Sequence, residues 1–185
     1  MLKGLTGIKE RLLVRGLMGK RMLFSDGKKH ICNGYAVIEG AGKRRIIPLA
    51  NIVTNDGDIY YATGAVGAPS WAVAGMRLGT GVTTPVKTAT DLTTFLAGSG
   101  KAVDSTYPKV VDDDTDNTGD GVDVVSWRVN YATGEGNGTD IAELALVDNI
   151  TTPTKALCHA LFAAAFTKTS SDTLKVFVNH TMNGV

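Results

Sequence analysis

Cysteine is scarce in this chain: two residues in 185, Cys32 and Cys158. Two such residues make no disulfide framework, and a pair of buried thiols in a reducing compartment is the reading that follows. Also missing is an uninterrupted apolar run at the start. The opening stretch, MLKGLTGIKERLLVRGLMGKRMLF, carries basic side chains along its whole length, so neither a signal peptide nor a membrane span is expected there. The chain is expected to be made in a cytoplasm and to leave it only inside an assembly.

Catalytic equipment is thin as well. His30 and Cys32 are two apart and Cys158 adjoins His159, but neither pair has the spacing of a zinc site, and no local signature marks a Cys/His nucleophile. EGAGKRR (39–45) resembles a phosphate loop only loosely, with Val37 where the first Gly belongs and Arg44 in place of Ser or Thr. No aromatic residues interleave with its basic ones, so nucleic acid is not an expected partner. Asp112, Asp113, Asp114, Asp116, Asp120 and Asp123 invite a calcium loop. Read from Asp112, however, Asn117 stands where Gly is needed and Asp123 where Glu is needed; read from Asp114, Val125 falls on the last ligand position. A solvated acidic turn is the simpler reading, with calcium held between subunits as the alternative. Asn137, Asn149 and Asn179 head glycosylation sequons that have no secretory signal to serve. No enzyme activity, cofactor or metal is expected.

What the chain does have is glycine and threonine, 22 of each, about a quarter of its residues. That mixture favours strands and tight turns. Its charge is unevenly spread. Residues 1–50 hold 11 Lys and Arg against three acids, and residues 51–185 hold 8 against 15, although the net charge is only +1. Such asymmetry predicts a basic arm that docks on something acidic or on the acidic face of a neighbouring copy. Within it Leu5, Ile8, Leu12 and Leu13 recur at helical spacing, but Gly4, Gly7, Gly16 and Gly19 each cost about 1 kcal/mol in a helix interior. The arm is expected to order on its partner.

Beyond residue 30 the hydrophobic period becomes two. Strands are expected at 35–38, at 45–54 (an edge strand or a bulge because of Pro48), at 71–79, 107–111, 122–131, 141–147 and 173–180. NDGDIYY (55–61) places Asp56-Gly57 between apolar runs, a hairpin signal. TATDLTTFLAGSG (88–100) reads as the short helix, capped by Thr88 or Thr90, with Leu92, Phe95 and Leu96 on one face and Gly98 as its stop. ALCHALFAAAF (156–166) has helical propensity, but its turn-rich surroundings favour a strand. About eight short strands predict an antiparallel sandwich or jelly roll.

Four stretches, MRLGTGVTTP (76–85), VVSWRVNY (124–131), NGTDIAELAL (137–146) and LCHALFAAAFTKTSSDTLKVFVNHT (157–181), follow one another in an order that resembles a pattern of tailed-phage virion proteins. The resemblance spans about residues 50–181, and its motifs are structural: turn glycines and strand faces. It carries over no catalytic residue. A compact Thr/Gly-rich β domain with a basic extension is also similar to capsid decoration (cement) proteins, which often form jelly-roll trimers on the shell.

The combined expectation is an all-β protein: a jelly-roll-like antiparallel β-sandwich (30–185) with one short helix and an extended basic N-terminal arm (1–29). The arm would bind a partner through Lys9, Arg11, Arg15, Lys20 and Arg21 and through Ile8, Leu12, Leu13 and Leu17. The expected role is a non-enzymatic virion protein made in the host cytoplasm, a decoration protein on the major capsid protein or another virion protein. It would be a homo-oligomer, a trimer by preference, with no membrane contact. A tail, neck or fibre-base adaptor is one alternative. A carbohydrate-binding module using Trp71, Trp127 or Tyr60-Tyr61 is the other.

Overall fold

A computed structural model describes residues 18–111 and 124–182. Among these residues it is all-β, with one short helix. A ribbon of β1 (Arg21–Leu23) and β2 (Lys29–Ile31) precedes one large antiparallel sheet. That sheet contains β3 (Gly34–Gly40), β4 (Lys43–Val53), β5 (Gly75–Gly79), β6 (Lys101–Ala102), β7 (Lys109–Val111), β8 (Val124–Tyr131), β9 (Gly138–Val147), β10 (Ala156–Lys168) and β11 (Thr173–Thr181). Their lateral order is β6-β5-β9-β10-β4-β3-β11-β8-β7.

The sheet curls until its two flanks meet. Tyr131 Oη on β8 donates to Met76 O on β5 at 3.4 Å, and Asp104, just beyond β6, accepts Arg128 Nε and donates its N–H to Arg128 O. Inside the curl sit Leu49, Met76, Leu78, Trp127, Leu144, Leu146, Phe162 and Val176, each 2% exposed or less. Alternation along β4, β5, β8, β9, β10 and β11 puts these residues inside, because successive strand side chains point to opposite faces. The Ala-rich run is a strand, as its neighbourhood predicts. Its small side chains let β10 lie in the middle of the sheet between β9 and β4.

Pro48 is not on an edge strand. β4 is central, and the two-residue turn at Ala41-Gly42, both with φ near +50 to +70°, fixes which way its groups face. From the closing pair Gly40↔Lys43, odd residues of β4 bond towards β3 and even ones towards β10. Pro48 therefore lacks its N–H on the β10 side, and β10 pairing ends next door at Leu49↔Phe162.

Asp56-Gly57 does not form a hairpin. Residues Asn55–Ala65 are the helix, α1. Thr54 caps it by accepting from Gly57 N at 3.0 Å, and Asp56 and Asp58 place negative charge in the first turn. Gly57 is required for another reason: a Cβ there would lie 2.1 Å from Leu157 O on β10. The glycine lets the helix lie directly on the strand.

The predicted helix at 88–100 is absent; this segment is part of an irregular strap, residues 80–100, folded over the outer face of the sheet. Its amides go to a buried carboxylate instead of to helical carbonyls. Glu143 on β9, fully buried, accepts Gly81 N at 3.0 Å, Thr94 N at 2.7 Å, Thr93 N at 3.1 Å and His159 Nε2 at 2.8 Å. Gly79 and Gly81 make room for it, since a Cβ at either would lie within 2.7 Å of the carboxylate. Arg77, beneath the strap, pairs with Asp91 and stacks its guanidinium 3.5 Å from the Phe95 ring centroid.

Two stability measurements check these contacts by urea unfolding. Gly57→Ala should lose about 2 kcal/mol, because overpacking against Leu157 outweighs a helix gain of about 1 kcal/mol; a stabilised variant would refute the close approach. Glu143→Gln should lose about 3 kcal/mol, since its amide cannot accept from all four donors. A loss below about 1 kcal/mol would show that the carboxylate does not hold the strap.

Candidate binding groove

The β1–β2 ribbon lies on the outer face of the sheet. Phe24, 3% exposed, packs with Ala50 and Leu161, and Ser25 Oγ donates to Phe162 O. Asp26 ties the ribbon to the strap by accepting His30 Nε2 at 2.7 Å and Thr84 Oγ1 at 2.9 Å. Desolvation raises the Asp26 carboxyl pKa, but His30, the Lys28 amide and Thr84 together bring it below the usual value.

Between this ribbon, α1 and the strap runs an open cleft of about 840 Å³. Its floor is made by three asparagines. Asn33 Nδ2 donates to Asn51 O and Asn33 Oδ1 accepts Asn51 N, while Asn51 Nδ2 donates to Asn179 O. Asn179 N donates to Asn33 O. These bonds join β4 to β11 at the point where β3 begins. Arg21, Lys29, His30 and Ile31 line one wall; Asp58, Tyr61, Pro85 and Lys87 line the other.

At the inner end of the cleft, Trp127 Nε1 donates to Tyr61 Oη at 3.1 Å, and Tyr61 Oη donates to His180 Nδ1 at 2.6 Å. The proton of His180 therefore sits on Nε2, which is buried without a partner among the described residues, as is Asn179 Oδ1. Burial holds His180 neutral, with its pKa lowered to about 3.

The sequence-predicted residues are scattered around this frame. Lys20 and Arg21 are exposed, Arg21 opening the ribbon and lining the cleft. Ile8, Lys9, Arg11, Leu12, Leu13, Arg15 and Leu17 lie outside the described residues, as does the Asp112–Asp123 turn. The boundary drawn at 29/30 falls within β2. His30 and Cys32 do not converge with Cys158 and His159. Cys158 is in the core, its thiol pushed up to about 12 by burial, and His159 points to the opposite face at Glu143. Both thiols are free and buried.

The aromatic platform is not a surface feature at Trp127, which is 2% exposed and meets Tyr60 edge to face. Trp71 joins the same cluster and donates to Asp56 O. The cleft itself was not visible in the sequence. Asn33, Asn51 and Asn179 are spread over 146 residues, and only the sheet order brings them together.

Comparison with known protein families, with curated proteins and with solved structures gives no match.

His180 makes stability depend on pH. An unfolded histidine takes up a proton near pH 6.5, and the folded one resists until about pH 3. Its contribution is complete above about pH 6.5 and should fall by about 1.4 kcal/mol per unit below that, towards pH 3. His180→Asn keeps an acceptor for Tyr61 but does not titrate. It should flatten the thermal-stability profile between about pH 6.5 and 4.5; an unchanged slope would place the acid sensitivity elsewhere.

Proposed function

We propose that this chain is a non-enzymatic structural protein of a tailed-phage particle: a capsid decoration protein that binds the outer shell as an oligomer, with a trimer as the preferred state. What supports the reading from the geometry is the free face of the β1–β2 ribbon. Phe24 anchors the ribbon, while Leu23 and Ile31 remain 62% and 51% exposed beside the exposed Arg21 and Lys29. Large apolar side chains held outward among cations, on a scaffold pinned by hydrogen bonds, suit association with an acidic, partly apolar partner surface. The order of motifs in the second half supports the same reading by resemblance.

In this role the curled sheet is the sandwich-like body, and the basic segment ahead of residue 30 makes the attachment. Many weak copies on one lattice reinforce the shell through summed binding energy. A tail or neck adaptor would use the same surface in fewer copies. The glycan reading draws no support from Trp127 and Tyr61, whose polar atoms are engaged within the protein.

Immunogold electron microscopy of the source virions, with antibody to this chain, separates these roles. Labelling over the whole head is the expected result. Gold confined to the tail or one vertex would replace decoration by the adaptor role. Unlabelled particles would remove the virion assignment altogether.

A further inference from the structure

Lys168 is buried without an ion-pair partner. It ends β10, 1% exposed, and its cross-strand partner is Gly138 at the start of β9. Its Nζ donates to Asp172 O at 2.8 Å, Asn137 Oδ1 at 3.0 Å, Ala132 O at 3.1 Å and, at 3.5 Å, Thr169 O. None of these acceptors is a carboxylate, and among the described residues Lys168 forms no salt bridge. Burial lowers its pKa, against the opposing charges of Asp172 and Glu135. Burial therefore favours the neutral amine, which is the nucleophilic form of a lysine.

The amine faces an amide that is held in place. The two turns around the site are bonded to each other and within themselves. Gly134 N donates to Ser170 O at 3.0 Å, Glu135 Oε2 accepts Ala132 N at 2.7 Å, and Asp172 Oδ2 accepts both Thr169 N and Thr169 Oγ1 at 2.8 Å. A neutral Nζ has two hydrogens and one lone pair. When the backbone carbonyls of Ala132 and Asp172 take the hydrogens, the lone pair is left on the side of Asn137. Nucleophile and acyl group then share one rigid pocket, which removes most of the entropy cost of bringing them together. Asn137 is half-buried, so water reaches its amide and a small leaving group has a way out.

We propose that Lys168 and Asn137 form an isopeptide bond within the folded chain. Nζ attacks Asn137 Cγ, the Nζ–Cγ bond forms and the Cγ–Nδ2 bond breaks. Nδ2 leaves as ammonia, taking the proton that Nζ gives up, and no oxidant or cofactor is consumed. The bond ties the start of β9 to the end of β10 and restricts the unfolded chain as a disulfide would. Both thiols of this protein are free, so this would be a cross-link of another kind. The assignment does not rest on a particle role: virion labelling can fail while the bond forms, and the reverse.

Mass spectrometry of the full 185-residue chain tests it. The protein is measured fresh and after incubation at about pH 9, where more of the amine is free. It should weigh one ammonia less than its sequence requires, and its tryptic digest should contain a branched peptide joining Asn137 to Lys168. Lys168→Arg keeps a charged donor that does not acylate, and Asn137→Ala removes the acyl group; both should remain linear and at full mass. A wild-type chain still linear after alkaline incubation would overturn the assignment, whether or not the variants fold. An ammonia loss that persists in Lys168→Arg would overturn it too, since an Asn-Gly step would then have closed a succinimide. So would a branched peptide that survives in Asn137→Ala.

Discussion

A carboxylate without water determines how this protein closes. Glu143 lies on the outer face of β9, in a place that would be solvent were it not for the strap, and four donors converge on its two oxygens. Desolvation alone would raise its pKa; His159 and the strap amides hold it below the usual carboxylate value. A charge buried with four hydrogen bonds tolerates only one arrangement of the segment that supplies them. The strap, the glycines that approach the carboxylate and the Arg77–Asp91 pair under it are all positioned by that requirement.

The same device recurs at the other end of the sheet with the sign reversed. Lys168, 1% exposed, donates to Ala132 O, Asn137 Oδ1 and Asp172 O, binding the β8–β9 and β10–β11 turns together. Between these fixed points the core is apolar and continuous. Outside the curl lies the ribbon, with Leu23 and Ile31 exposed; Arg21 and Lys29 are exposed there too and take no part in the core.

Most strands were legible because period-two alternation is a local signal, as in VVSWRVNY. The two segments whose secondary structure was misread are ones whose fate is decided elsewhere. Asp56-Gly57 carries the turn chemistry of a hairpin, but Thr54 before it is a helix cap, and Leu157, a hundred residues away, needs the glycine. Residues 88–100 have a helical face, yet the amides of Thr93 and Thr94 are captured by Glu143, some fifty residues downstream. The cleft was invisible for the same reason. A sequence displays Asn33, Asn51 and Asn179 as unrelated residues, and the sequons drew attention to Asn179 for a different chemistry. The arm residues from Ile8 to Leu17 lie outside the described residues, so the structure speaks only for the end of that segment, Lys20 and Arg21.

Pro48 also bears on how the chain is assembled in time. β3 and β4 are neighbours in sequence and can pair as soon as both have been synthesised, but the other flank of β4 belongs to β10, about a hundred residues later. A nascent chain therefore holds a completed hairpin with both outer edges unsatisfied, that of β4 until β10 emerges and that of β3 until β11 does, and such edges recruit strands from other chains. The proline withholds a donor on the β4 flank and so blunts that edge while it waits. The residue that marks where the β4–β10 ladder ends in the finished sheet also protects the half-made one from pairing with the wrong strand.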